Sequence, residues 1–336
     1  MLNVEEIRKD FPILKNRKII YLDNAATTHK PIQVINAITN FYTKHNANIH
    51  RGAHTLSQEA SKMYEEAHEI IAKLINATPE EIVFTSGTTD SLNMIAQGLE
   101  HLINEGDEII TTIAEHHSNF LPWKKLAEKK RAKLKIIGID EQARINLKQL
   151  EKEITNKTRI VAITHMSNVT GAITNIKKAA KIAHSQNAIL VVDGAQSVPH
   201  IPVDVKQLEI DFLAFSGHKM LGPTGTGVLY GRKDLLEQLE PPRLGGGTIE
   251  KVTLETTEFK KLPWKLEAGT PNIAGAIGLA EAAKYLMKIG MKEIMQHEKE
   301  LTRKTLEQLK EIPEVKVVGP INPEEKGGTI SFTVKN

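Results

Sequence analysis

The chain has 336 residues, a formal net charge of +3 and no cysteine, with 40% hydrophobic and 25% charged residues. That balance is ordinary for a soluble globular protein of one large α/β unit or two domains. It excludes disulfides and thiolate metal sites, and so small a charge gives no argument for a nucleic-acid partner.

No stretch reaches the roughly 20 apolar residues of a membrane span, and residues 1–18 lack the apolar core and cleavage pattern of a secretion signal. A cytoplasmic protein with no membrane partner is expected. Residues 3–12 read as a short amphipathic helix, with Ile7 and Phe11 four apart, and 18–22 as a strand. A turn of small and capping residues (23–28) precedes Pro31, which would open a helix at its first position and run to about Lys44. A polar loop over 46–54 leads to a long helix over 57–76. His50 and His54 have a four-residue spacing, but Gly52 and the lack of an acidic third ligand argue against a metal, and none is expected.

Residues 81–85 form a strand, Ser86-Gly87-Thr88-Thr89-Asp90 a polar loop, and 91–102 a helix. A strand, a Gly/Thr loop and a helix in that order place backbone N–H groups and hydroxyls where an anion can sit. A threonine there is equally a plain helix cap, and no Gly-Lys-Ser/Thr of a nucleotide loop occurs in the chain. From residue 107 strands and helices alternate: strands at 107–112, 133–138, 159–164 and 188–192, helices at 122–131, 146–154 and 175–186. Lys129, Lys130 and Arg131 read as a solvated helix end. Apolar strands separated by amphipathic helices predict a mostly parallel sheet covered on both faces, with ligands bound beyond the carboxyl ends of the strands. Thr88, His116, Asn168, Asp193, Gln196 and Lys219 all fall at such ends.

Lys219 lies between two strands, 210–215 and 228–230. There it would snorkel to water, pair with an anion or serve as an amine. Asp193 closes the run Ile189-Leu190-Val191-Val192. A carboxylate on a buried strand is costly without a partner, so it reads either as a cap or as the partner of a cationic ring nitrogen. Pyridoxal 5'-phosphate requires a lysine for an imine, an acid for its pyridinium, a phosphate cup and a flat group over the ring. Lys219, Asp193, the trio Thr88, Ser216 and His218, and His116 supply candidates for each, with Gln196 placed to donate to the phenolic oxygen. Beyond these, 232–238 is helical, 243–247 a glycine-rich connection, 267–272 a polar loop, 273–288 and 291–309 two long helices, and 315–318 and 329–334 two strands.

Several stretches, in order, resemble the Suf-type cysteine desulfurases of the class V aminotransferase family. They are Tyr21-Leu22-Asp23-Asn24-Ala25-Ala26-Thr27-Thr28, Ser86-Gly87-Thr88-Thr89, Glu115-His116-His117-Ser118-Asn119, His165-Met166-Ser167-Asn168-Val169-Thr170-Gly171, Asp193-Gly194-Ala195-Gln196, Ser216-Gly217-His218-Lys219 and Glu267-Ala268-Gly269-Thr270-Pro271-Asn272. The resemblance implies a type I pyridoxal-phosphate fold and a homodimer with sites at the subunit interface. It implies transfer of sulfur from L-cysteine, leaving L-alanine, to an acceptor or scaffold protein of iron–sulfur cluster assembly. Carried over by position, Lys219 is the Schiff-base lysine, Asp193 the pyridinium partner, His116 the stacking and proton-transfer residue and Gln196 the phenolate contact. Thr88, Thr89, Ser216 and His218 bind phosphate, with Thr270 reaching it across the dimer. Asn168, His50 and Ala25 belong to the substrate side. Residues 21–262 would be the large cofactor-binding domain, with 1–20 and 263–336 in the small one.

In that family the persulfide forms on a cysteine of the C-terminal segment, near an arginine that grips the substrate carboxylate. This sequence has no cysteine and stops where that segment begins, so truncation of a longer protein is the expectation. Two other readings stand beside the desulfurase. One is a class V relative acting as selenocysteine lyase, epimerase or transaminase, and the other is an inactive scaffold that retains the fold. A dinucleotide oxidoreductase is disfavoured because no Gly-x-Gly-x-x-Gly follows the first strand.

Overall fold

The computed structural model describes residues 2–50 and 52–335. Its first helices are α1 (Val4–Arg8), α2 (Pro12–Asn16), α3 (Ile32–Asn40) and α4 (Thr55–Ile75), followed by β1 (Ile82–Thr85) and α5 (Thr88–Gly98). An alternating run comes next: β2 (Glu108–Thr112), α6 (Leu121–Lys130), β3 (Lys133–Ile137), α7 (Leu147–Glu153), β4 (Thr158–Thr164), α8 (Ile176–His184) and β5 (Ile189–Asp193). Then follow β6 (Phe212–Ser216), β7 (Gly227–Gly231), α9 (Lys233–Gln238) and the hairpin β8 (Ile249–Val252) and β9 (Thr257–Phe259). The chain continues through α10 (Ile273–Ile289), α11 (Met291–Lys310), β10 (Val315–Val318) and β11 (Ser331–Val334).

Seven strands order as β1-β7-β6-β5-β4-β2-β3. The β2–β3, β2–β4 and β4–β5 pairs are parallel, and β1 runs antiparallel to β7. The mostly parallel sheet expected from the alternating pattern is therefore present, with an antiparallel edge.

Two compact units divide the chain, one from Leu99–Leu213 with the stretch after Gly290, the other from Asn3–Gly98 with Ala214–Ile289. In the first, β4 and β5 carry β-branched residues on both faces and are buried almost throughout, as parallel strands under helices must be. Helices α7 and α8 start on asparagines. Asn146 accepts the Gln149 N–H and Asn175 the Lys178 N–H, both at 3.0 Å, which satisfies donors left free in the first turn. In the second unit, α4 buries a single stripe through Ala60, Tyr64, Ala67, His68 and Ile71. That stripe meets Phe41, Ile49, Ile273 and Ile277 in one apolar core.

Four local expectations fail. Residues 3–12 are not one helix, because α1 ends at Arg8 and Phe11, ahead of Pro12, is extended before α2. Residues 18–22 join no strand pair, and Ile20 and Leu22 are each 90% exposed. An apolar run is a strand only where a neighbour takes its backbone groups. Pro31 caps α3 from outside rather than opening it, and the helix passes after Asn40 into a wider turn, Phe41–His45. The helix after β1 begins three residues earlier than expected, at Thr88. The Asp90 carboxylate accepts the Ser86 N–H at 2.9 Å and so stabilises an early start.

Candidate active site

β6 is buried along its whole length, and its last residue, Ser216, leads into the turn Gly217–Lys219 of the second unit. The His218 carbonyl anchors that turn. It faces the Thr28 N–H at 2.9 Å, Thr28 Oγ1 at 3.0 Å, Lys30 Nζ at 3.1 Å and Thr27 Oγ1 at 3.2 Å. Thr28 Oγ1 also accepts the Leu221 N–H at 2.9 Å. The Thr-rich turn near the N-terminus therefore holds both sides of Lys219, a role its sequence did not announce. Loss of water lowers the Lys30 pKa to about 8. Burial, with Lys219 and Lys30 adding positive charge, lowers that of the half-buried His218, which favours its neutral form near pH 7.

Thr88, at the start of α5, gives its N–H to Ser216 Oγ at 2.8 Å, and the two hydroxyl oxygens are 2.7 Å apart. Glycine is required beside them. Gly87 has φ +151°, and a Cβ at Gly227 would lie 2.4 Å from the Gly87 Cα. Two hydroxyls, the first N–H groups of an 11-residue helix and a side-chain-free Gly87 form a donor-rich cradle. These groups fit the phosphate of pyridoxal phosphate. Thr89 is exposed next to them, and Ala25 is half-buried in the N-terminal turn.

His50 and Thr270 line a different part of the same unit, a cavity of about 330 Å³ shared with Lys260, Trp264 and Glu267 but not with Thr88 or Lys219. The His50 ring packs against Trp264 at a centroid distance of 4.4 Å. Burial and the Lys260 charge lower its pKa, with Glu267 opposing. Glu267 is buried and accepts from the Phe84 N–H at 2.6 Å, Tyr64 Oη at 2.7 Å and His68 Nε2 at 3.1 Å. This network anchors the loop that carries Thr270. Its partners come from α4 and β1, so nothing local in the sequence signals it.

In the first unit, Asp193 ends β5, is 5% exposed, and accepts the Ala195 N–H at 2.9 Å. Thr164 is its register partner on β4, and the next residue, His165, gives its N–H to the Asp193 carbonyl at 3.0 Å. Burial lowers the His165 pKa to about 4, and its Nδ1 is buried without a hydrogen bond. Gln196 is buried, Asn168 half-buried and His116 exposed. His116 Nδ1 accepts the Ser118 N–H at 3.2 Å, which places the proton of the neutral ring on Nε2. Glu115, beside it, is half-buried with its carboxyl turned inward. Withdrawal from water and the Asp193 charge raise its pKa, while the donors Thr112, Asn119 and the Thr164 N–H favour the ionised form, in which both oxygens accept.

The class V aminotransferase profile matches residues 20–336, and the chain belongs to that family. It is 46% identical to a probable cysteine desulfurase of Halalkalibacterium halodurans, over 100% of this chain and 83% of that protein. A probable cysteine desulfurase of Pyrococcus abyssi is 48% identical, over 98% of this chain and 82% of its own length. Among solved structures, the apo cysteine desulfurase of Thermococcus onnurineus superposes with a TM-score of 0.96 at 46% identity, covering 100% of this chain and 83% of the other. An Escherichia coli cysteine desulfurase in an S-sulfonic acid form gives 0.90 at 38% identity, covering 99% and 83%. Among the described residues no helix is long and apolar enough to cross a membrane.

Proposed function

We propose that the chain is a pyridoxal-phosphate-dependent cysteine desulfurase, converting L-cysteine to L-alanine and passing the sulfur to a thiol as a persulfide. The observation that carries this reading is the Thr88–Ser216 hydroxyl pair, set at the start of α5 and three residues before Lys219. Family relatives named as cysteine desulfurases support the choice of reaction. When bound, pyridoxal phosphate supplies an electron sink that acidifies the Cα–H of an amino acid and loosens what its side chain carries.

The protein's residues would then have distinct tasks. Thr88, Ser216 and His218 hold the phosphate, with Thr89 at their margin. The Asp193 carboxylate holds the protonated ring nitrogen, and Gln196 donates to the phenolic oxygen. Lys219 moves the proton at Cα through its Nζ. His116 would stack on the ring and offer a proton at Nε2, since its Nδ1 accepts the Ser118 N–H. Asn168, His50 and Ala25 face the substrate. The assignment of Asp193 and Lys219 to one cofactor rests on the family motifs.

The sulfur balance is simple: cysteine and a thiol RSH give alanine and RSSH. This sequence contains no cysteine, so in a test the thiol is added. We read the physiological acceptor as a sulfur carrier or scaffold protein of iron–sulfur assembly. The chain is read as one half of a homodimer in which Thr270 serves the partner's phosphate. The exposure of Thr270 and its place in a cavity apart from Thr88 support that reading.

The test is purified protein given pyridoxal phosphate, L-cysteine and dithiothreitol. Visible imine absorption, its loss in Lys219→Ala, and equal yields of sulfide and alanine are expected. A keto acid without sulfide would favour a transaminase, and colourless protein would leave a scaffold.

A further inference from the structure

His116 rides on a short loop between β2 and α6, and the geometry of the preceding residue explains how such a loop can hold an imidazole in place. Glu115 Oε1 faces Thr112 Oγ1 at 2.6 Å and the Thr164 N–H at 2.9 Å, while Oε2 faces Asn119 Nδ2 at 2.6 Å. The Thr164 N–H and Asn119 Nδ2 are committed as donors, and Thr112 Oγ1 can donate beside them. The Thr164 N–H can only donate. Thr112 Oγ1 accepts the Ala114 N–H at 3.2 Å, which leaves its own proton for the carboxyl. Asn119 Oδ1 accepts the indole N–H of Trp123 at 2.9 Å, and an indole can only donate, so the amide orientation is fixed with Nδ2 toward Glu115. Asn119 also gives its backbone N–H to the His116 carbonyl at 2.8 Å. Asn119 and Trp123 are fully buried.

Both carboxyl oxygens of Glu115 thus meet obligate donors, and the chain on each side of His116 is tied through them to the end of β4. We propose that Glu115 is the positioning residue for His116, acting through this donor–acceptor pattern. The proposal rests on the reading of His116 given under the proposed function. It makes a specific prediction about side-chain chemistry. Glutamine in place of Glu115, nearly the same shape, must turn its NH₂ against either Asn119 Nδ2 or the Thr112 and Thr164 donors. Asn119→Asp alone sets carboxylate against carboxylate. Together the two changes exchange donor and acceptor. The introduced amide NH₂ would donate to the introduced carboxylate, whose other oxygen still takes the Trp123 N–H.

The experiment compares Glu115→Gln, Asn119→Asp and the double variant. It reads kcat and KM for cysteine in the loaded enzyme, and the near-ultraviolet circular dichroism of tryptophan in protein stripped of cofactor. Because small displacements of a catalytic group are costly, each single variant is expected to lose about tenfold or more in kcat, with KM moving less, and to weaken the tryptophan band. The double variant is expected to recover both to within about threefold, as groups coupled in one network do. Glu115→Gln with unchanged kcat and band, or a double variant no better than the singles, overturns the proposal. If the singles do not fold, a folded and active double variant supports it and an unfolded one overturns it. An inactive unmodified protein would count against the desulfurase reading, while the tryptophan series on stripped protein would still decide the Glu115 network.

Discussion

Ser216 Oγ lies 2.8 Å from the Thr88 N–H and 2.7 Å from Thr88 Oγ1, joining the end of β6 to the start of α5 at the place where an anion would sit. Ser216→Ala removes one hydroxyl from that cradle and leaves the Thr88 N–H without this partner. A hydrogen bond to a charged group contributes roughly 1.5–3 kcal/mol, so cofactor retention should weaken by about tenfold to a hundredfold. Equilibrium dialysis against pyridoxal phosphate measures this. Unchanged affinity would remove Ser216 from the cofactor's partners.

Gly227→Ala tests the same corner through packing. The new methyl would lie 2.4 Å from the Gly87 Cα and 2.8 Å from the Gly87 backbone N and C, all main-chain atoms that cannot swing aside. Overpacking of this kind costs typically about 1–3 kcal/mol. Urea unfolding should show that loss, and retention of cofactor should fall with it because Gly87 adjoins Thr88.

How much of this was legible beforehand follows from the range over which each signal acts. The β2-to-β5 alternation was readable because periodicity and burial are local properties of each segment, and β5 ends on Asp193 as the apolar run before it implied. The apolar run 18–22 was misread because strand identity needs a neighbour to pair with, which no short window contains. Thr88 and Ser216 could be named as phosphate-binding types, but their mutual contact spans 128 positions. The four-donor anchor on the His218 carbonyl spans about 190. Glu115 was visible in its motif without a role, since its carboxyl is defined by Asn119, Thr112 and Thr164 together.

The buried Glu267 carboxylate gives a stability prediction. Phe84 N–H, Tyr64 Oη and His68 Nε2 converge on it from β1 and α4. Glu267→Ala strands all three donors in a site only a few per cent exposed. Breaking one side of a buried, hydrogen-bonded pair costs about 3–5 kcal/mol, and chemical denaturation should register a loss of that size. A loss below about 1 kcal/mol, the range of exposed pairs, would mean that water replaces the carboxylate.

His165 provides a pH test whose sign is fixed by its environment. Its ring is withdrawn from water and its pKa lies at about 4, below the ordinary histidine value of 6.5. Between those two pH values the unfolded chain binds a proton that the folded chain refuses, so stability rises with pH across that window. Lowering the pH from about 6.5 to about 4 should therefore cost up to roughly 3 kcal/mol from this group alone, with no further loss below the folded value. Other carboxyls and histidines titrate in the same range, so the measurement is a difference: urea unfolding of wild type and His165→Gln at a series of pH values. The wild-type curve should fall more steeply toward acid by about one proton, because glutamine has nothing to titrate. Parallel curves would show that His165 accepts its proton in the folded protein as readily as in the unfolded chain, and that its buried Nδ1 finds a partner when charged.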